Sequence, residues 1–149
     1  MNLQFREAMP TMRGCFKLRV YRNGQVIQTI EDHNLIVNGA QHAAALLSAG
    51  DGAGKYIAKI AFGINGNIPT PGDTAITGAF IKPLQGHSYP ADEQVEFKWK
   101  LMGNEANGMK IIEFGLLCED GTLWARKIRE EAIPKEPDIS LEGEWIIIH

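Results

Sequence analysis

The chain has 149 residues, enough for one domain with a sizeable core, and its 44% hydrophobic and 22% charged content is ordinary for a globular protein. Fifteen basic and 18 acidic residues leave a formal net charge of -3, so no general electrostatic pull draws the chain to nucleic acid or to an anionic membrane. The two cysteines, Cys15 and Cys118, make no CxxC pair and no disulfide framework, which leaves two reduced thiols in or near a core as the expectation.

Residues 1–13 are mixed in character, carry Pro10 and show no period. They read as an N-terminal arm, disordered alone or ordered on a neighbour, in front of a single β-rich domain over residues 14–149. The arm holds no apolar run of the signal-peptide kind, and no run elsewhere approaches a membrane span, so the chain is expected to be made and assembled in a cytoplasm.

Over residues 15–21, Phe16, Leu18 and Val20 alternate with Lys17, Arg19 and Tyr21, the period of two of a half-buried strand. Asn23-Gly24 is the preferred pair for a type I′ hairpin turn, and residues 26–30 return as the second strand. Residues 34–39 are extended up to Asn38, which is expected to cap the one convincing helix, over 39–49, with Gly50 as its left-handed stop. Ala40, Ala44, Leu46 and Leu47 are the side chains expected to cover one end of the core.

After a flexible connection at 51–55, residues 56–64 form an apolar strand and residues 65–74 a loop rich in turn formers. Residues 76–84 resume extended structure, with Pro83 arguing for a sheet edge, and 86–92 read as another loop. Val95, Phe97, Trp99 and Leu101 share one face of a strand over 93–101. A polar turn at 103–108 leads into a hairpin over 111–128, with Asp120-Gly121 as a second type I′ signal. On its first arm Ile112, Phe114, Leu116 and Cys118 share one face and Ile111, Glu113, Gly115 and Leu117 the other. On its second arm Trp124, Arg126 and Ile128 share a face. Glu113 and Arg126 are candidates for a cross-strand pair that fixes register.

Strands 93–101 and 139–148 are expected as the hairpin's partners. Residues 129–138 read as an exposed crossing, and residues 139–148 close the domain. The whole predicts a mainly β fold: an antiparallel β-sandwich, or a partly open barrel, of about eight strands with one short α-helix.

Candidate chemistry is sparse, and no catalytic, cofactor-binding or metal-ligating residue is assigned. Gly50 to Lys55 reads GDGAGK, but Ala49 and Tyr56 stand where a phosphate loop needs Gly and Ser or Thr, and the loop follows a helix instead of leading into one. His33, His42, His87 and His149 fit no recognised ligand spacing; one histidine per subunit on an oligomer axis is the arrangement left open. The acidic pairs, such as Glu119/Asp120, are sequence neighbours and point to opposite faces of a strand. No serine lies in a nucleophile elbow, and an acidic neighbourhood opposes activation of Cys118.

The order of features is more telling. Asn34-Leu35-Ile36-Val37-Asn38-Gly39 leads into an Ala/Leu helix, then come Ile60-Ala61-Phe62-Gly63 and Pro69-Thr70-Pro71-Gly72-Asp73-Thr74-Ala75-Ile76-Thr77-Gly78. Asn104-Glu105-Ala106-Asn107-Gly108, Ile112-Glu113-Phe114-Gly115-Leu116-Leu117, Asp120-Gly121, Leu123-Trp124-Ala125-Arg126 and Trp145-Ile146-Ile147-Ile148 follow. This order resembles small structural proteins of tailed bacteriophages and prophages, in particular tail-fibre and baseplate-attachment domains. Two departures are that Ala79 stands where the family often has an acid, and that no fibre repeat follows before His149, which shifts the expectation toward a standalone adaptor, tail or head-decoration protein.

The resemblance implies a non-enzymatic virion component, in the tail or baseplate by preference. Its partners would be itself, as a trimer or ring, and other virion proteins, with no nucleic acid and no membrane. Interface candidates are Trp145, Ile146, Ile147 and Ile148, because both faces of the closing strand are apolar, and Phe5, Met9 and Met12 in the arm. The alternatives are a head-decoration or collar protein, or a carbohydrate-binding module. In the latter a glycan would stack on Trp99 or Trp124 beside the loops at 65–75 and 86–92.

Overall fold

The computed structural model describes residues 12–149; Phe5 and Met9 of the arm lie outside the described residues. The fold is mainly β, with nine strands and one helix among the described residues: β1 (Arg13–Arg22), β2 (Gln25–Ile36), α1 (Asn38–Ser48), β3 (Ile57–Gly63), β4 (Phe80–Pro83), β5 (Gly86–Ala91), β6 (Gln94–Leu101), β7 (Lys110–Cys118), β8 (Leu123–Pro134) and β9 (Ile139–Ile148). All pairings are antiparallel, in the order β4-β3-β7-β8-β2-β1-β9-β6-β5.

The sheet curls into an open barrel of two packed halves. The halves meet at one corner where β2 and β8 share only the Leu35–Arg126 and Ile36–Ala125 pairs. At the other corner β4 passes into β5 through Leu84-Gln85, whose N–H groups reach Ala58 O at 3.0 Å and Lys98 O at 2.8 Å.

Alternation in the sequence decides the first half, β2-β1-β9-β6-β5. Phe16, Leu18 and Val20 of β1 point inward, as do Leu141, Trp145 and Ile147 of β9. On the opposite face of this half Arg19 bridges Glu144 at 2.6 Å and Glu142 at 3.4 Å. Across the core stand Phe62 of β3 and Phe114 of β7. Phe16 stacks on Trp99 at 5.7 Å, meets Trp145 edge-on at 4.8 Å and Phe114 at 4.9 Å. Such pairs contribute about 0.5–1.5 kcal/mol each beyond their buried area.

Gly143 is what lets β9 lie this close. A methyl group there would overlap the Lys17 carbonyl oxygen and stand 2.6 Å from Trp99 Cζ2. Gly143→Ala is therefore expected to cost about 3 kcal/mol, the upper end of overpacking penalties, read as a lowered urea midpoint. A change within experimental error would show that β1 and β9 have slack.

The first hairpin turn is as expected, and several other expectations are corrected. Asn23 and Gly24 both have positive φ, 50° and 80°, as a type I′ turn requires. At the second hairpin Gly121 alone does, at 92°, and Gly121 N–H bonds to Cys118 O at 3.0 Å. That is a longer loop ending in a Gly bulge, not a type I′ turn.

A register shift between Ile111 and Glu113 puts Ile111 in the main core with Phe114, Leu116 and Cys118, while Ile112 turns outward against Gly66. A second shift, between Leu116 and Leu117, puts Trp124 in the core and separates it from Arg126. The hairpin bonds to β3 and to the end of β2; β6 and β9, expected as its partners, pack across the core from it.

Residues 86–91 form β5 instead of a loop, and β8 runs on to Pro134, burying Ile133 where a crossing was expected. Helix α1 starts after Val37 with no side-chain cap, so Asn38 is helical and does not cap. Its buried side chains are Ala40 and Ala43, whereas Leu47 is exposed.

Candidate interaction surface

The half β4-β3-β7-β8 carries the loop of residues 64–79 on its outer face. Ile76 and Ala79 pack there against Val37, Ala61, Leu117 and Leu123, a small core separate from the main one. Ile64 N–H to Thr77 O, at 3.1 Å, closes the base of the loop, and Asn38 N–H to Pro71 O, at 2.8 Å, ties its far side to α1.

Beneath the loop lies a buried polar node. Glu113 pairs in register with Ile128 and Arg126 with Gly115, so the acid and the base are diagonal neighbours. Arg126 Nε donates to Glu113 Oε2 at 2.7 Å. Arg126 Nη1 donates to Asn67 O at 2.9 Å and to Asp73 Oδ2 at 3.1 Å, and Nη2 to Asn65 O at 2.9 Å. Glu113 Oε1 accepts the N–H groups of Asn65 and Thr77, both at 3.1 Å. Arg126 is 2% exposed and Glu113 fully buried.

Burial of charge on this scale is tolerated because nearly every donor and acceptor is used. Gly63 and Gly115 make the room: a methyl on either would overlap Ile76, and on Gly63 it would also overlap Glu113. Asp73, Glu113, Gly115 and Arg126 thus meet in one place, and their work there is to pin a loop.

Asp73 also accepts the Thr70 N–H at 3.0 Å and the Thr70 hydroxyl at 2.8 Å. The Thr70 N–H above all, with its hydroxyl and the charge of Arg126, holds the Asp73 carboxyl below its ordinary range although burial acts against them. A depressed folded-state pKa gives stability that is present above the unfolded value and is lost as pH falls through the folded one. Amide exchange across residues 64–79, normalised for its intrinsic pH dependence, should therefore accelerate below about pH 4. In Asp73→Asn the loop should exchange fast already at neutral pH; equal protection in the two proteins would remove Asp73 from the node.

A second buried cation shapes the neighbouring turn. Lys135 Nζ donates to Gly103 O and Glu136 O, both at 3.1 Å, and to Asn107 Oδ1 at 2.9 Å; its burial pushes the ammonium pKa below the ordinary value. Glu105 in the same turn bonds Lys82 Nζ at 2.6 Å and Met102 N–H at 2.8 Å. Ala106 between them takes φ 55°, a left-handed conformation unusual for a side-chain-bearing residue.

Between the pinned loop and this turn runs a groove of about 620 Å³. Its lining includes Ile64, Gly66, Met109, Lys110, Ile112 and Ala132, and Lys110 is the one charged residue among those that line it. Ile64 in its lining is about half exposed; in the same half of the barrel Ile68 of the loop is 82% exposed and Ile81 of β4 about half exposed. An apolar groove open to solvent marks an interaction surface more often than a scattered apolar side chain does.

The expected interface residues lie elsewhere. Trp145 and Ile147 are in the core, and Trp145 Nε1 donates to Asn34 Oδ1 at 2.8 Å. Ile146 and Ile148 are half-buried on the opposite face of β9, both of whose edges are taken, by β1 and β6. Met12 packs half-buried against the core. Trp99 and Trp124 are 1% and 2% exposed, so neither can stack on a sugar and the glycan reading loses its aromatic platform.

Periodicity carries no signal for the groove, because Ile64 and Ile112 sit at a loop and at a bulge. No protein-family model, no curated protein and no solved structure matches the chain.

Proposed function

We propose that the protein is a non-enzymatic structural component of a phage or prophage particle, of the tail, baseplate or fibre-attachment kind. It self-assembles and docks other virion proteins after synthesis in the host cytoplasm. The observation that carries this reading is the apolar groove lined by Ile64, Met109, Ile112 and Ala132, flanked by a loop that buried charges hold in place. A loop fixed in this way suits docking, because little conformational freedom remains to be lost on binding. The ordered resemblance of residues ~30–148 to phage structural domains agrees with it. Light scattering across a concentration series, alone and with the proteins of adjacent genes, is the test. Assembly, or capture by tail or baseplate proteins, is expected; a monomer at every concentration that joins none of them overturns the reading.

A further inference from the structure

We infer that the groove between residues 64–79 and the turn at 103–109 receives residues 3–9 of a second copy of this chain. The inference rests on the self-assembly reading above and names its interface. Eleven residues precede the described structure in this sequence, and the chain enters the fold at Met12 and Arg13, where β1 pairs with β9. That is the first half of the barrel. The groove is on the outer face of the other half, with the core between them, so a neighbour's segment reaches it without wrapping around its own molecule.

The chemistry of the two parts matches. Over residues 3–9 the odd positions read Leu3, Phe5, Glu7 and Met9, and the even ones Gln4, Arg6 and Ala8. In an extended segment the odd positions share a face, which presents three apolar side chains and one carboxylate. The groove offers an apolar lining from Ile64, Met109, Ile112 and Ala132 and a single cation, Lys110. Glu7 against Lys110 sets the register, and the apolar side chains supply the affinity. Contact between the N-terminal segment of one copy and the groove of the next is head-to-tail, and it closes into a ring or continues as a filament.

The test uses the full chain. Light scattering should find the native chain assembled and the arm variant Leu3→Asp/Phe5→Asp monomeric with an unchanged melting temperature. A labelled peptide of residues 1–12 should bind that arm variant. Ile112→Asp, made in the same background, should weaken binding by at least about tenfold, the scale of losing one anchor contact. Lys110→Glu should weaken it as well, and a peptide carrying Glu7→Lys should recover it. Ile112→Asp changes an outward side chain; Lys110→Glu and its rescue keep the result readable if that variant folds poorly.

Assembly that survives the arm variant, or peptide binding indifferent to the groove variants, overturns the inference and leaves self-assembly through another surface standing. Peptide binding with a monomeric native chain overturns exchange between copies, because each arm then fills its own groove. A native chain that neither assembles nor binds the peptide overturns the inference and removes self-assembly from the proposed function as well.

Discussion

Arg126→Ala is expected to lower the stability of the fold by about 3–5 kcal/mol, the cost of breaking a buried ion pair by removing one partner. For a chain of this size that is a fall in melting temperature on the order of 10 °C. The reasoning is specific to the node. Without the guanidinium, the fully buried Glu113 loses its cation and keeps only two backbone N–H partners, while the carbonyls of Asn65 and Asn67 lose their donor. The loop of residues 64–79 should then lift, and amide protection there should fall before the rest of the barrel unfolds.

A double variant, Arg126→Met with Glu113→Leu, removes both charges together. It should recover part of the stability, because a buried pair is often replaceable by apolar groups. The recovered protein should still have a loosened loop. A loss under about 1 kcal/mol for Arg126→Ala, as for an exposed pair, would mean that water reaches the node.

Trp145→Ala is the second large effect, at about 3–5 kcal/mol, as for deletion of a large aromatic side chain from a core. Trp145 meets Phe16 at 4.8 Å, is fully buried, and satisfies Asn34 through its indole N–H. The variant separates two roles for the closing strand. A core residue loses folding free energy with no change in how the folded protein assembles. An interface residue would leave the monomer's stability intact and dissolve the assembly. Ile146→Ala, on the other face of the same strand and half-buried, should shift the denaturation midpoint much less.

The elements that could be read in the sequence are those in which one physical rule acts alone. β1 and β6 alternate cleanly, and β9 does so as far as Trp145, because each has one face in the core. Asn23-Gly24 forms its turn because both residues accept positive φ. What stayed hidden are the places where two rules compete. A bulge adds a residue to one strand and exchanges the faces beyond it, so Ile111 and Ile112 swap roles with no change in the pattern of letters.

The node is the clearest case. Glu113 and Arg126 could be suspected of pairing across two strands. That Asp73 and two loop carbonyls complete the site depends on where a 16-residue loop lies down. Small residues at 63 and 115 and an apolar Ile76 determine that, and none of these has a local period. Strand β5 was passed over because Pro90 and the polar run around it resemble a loop, although an edge strand tolerates both.

The position of β9 has a consequence for the order in which the protein can be completed. It lies between β1 and β6, yet it follows every other strand in the chain. During synthesis the first hairpin emerges early and then waits, with the free edge of β1 bare, until more than a hundred further residues have been added. Only then can β9 fill the gap and close the aromatic core. Such late, long-range closure slows folding, and it leaves two sticky strand edges available to neighbouring nascent chains. A ribosome that stalls before residue 139 would release a product with both edges open, and aggregation, not partial activity, is its expected fate.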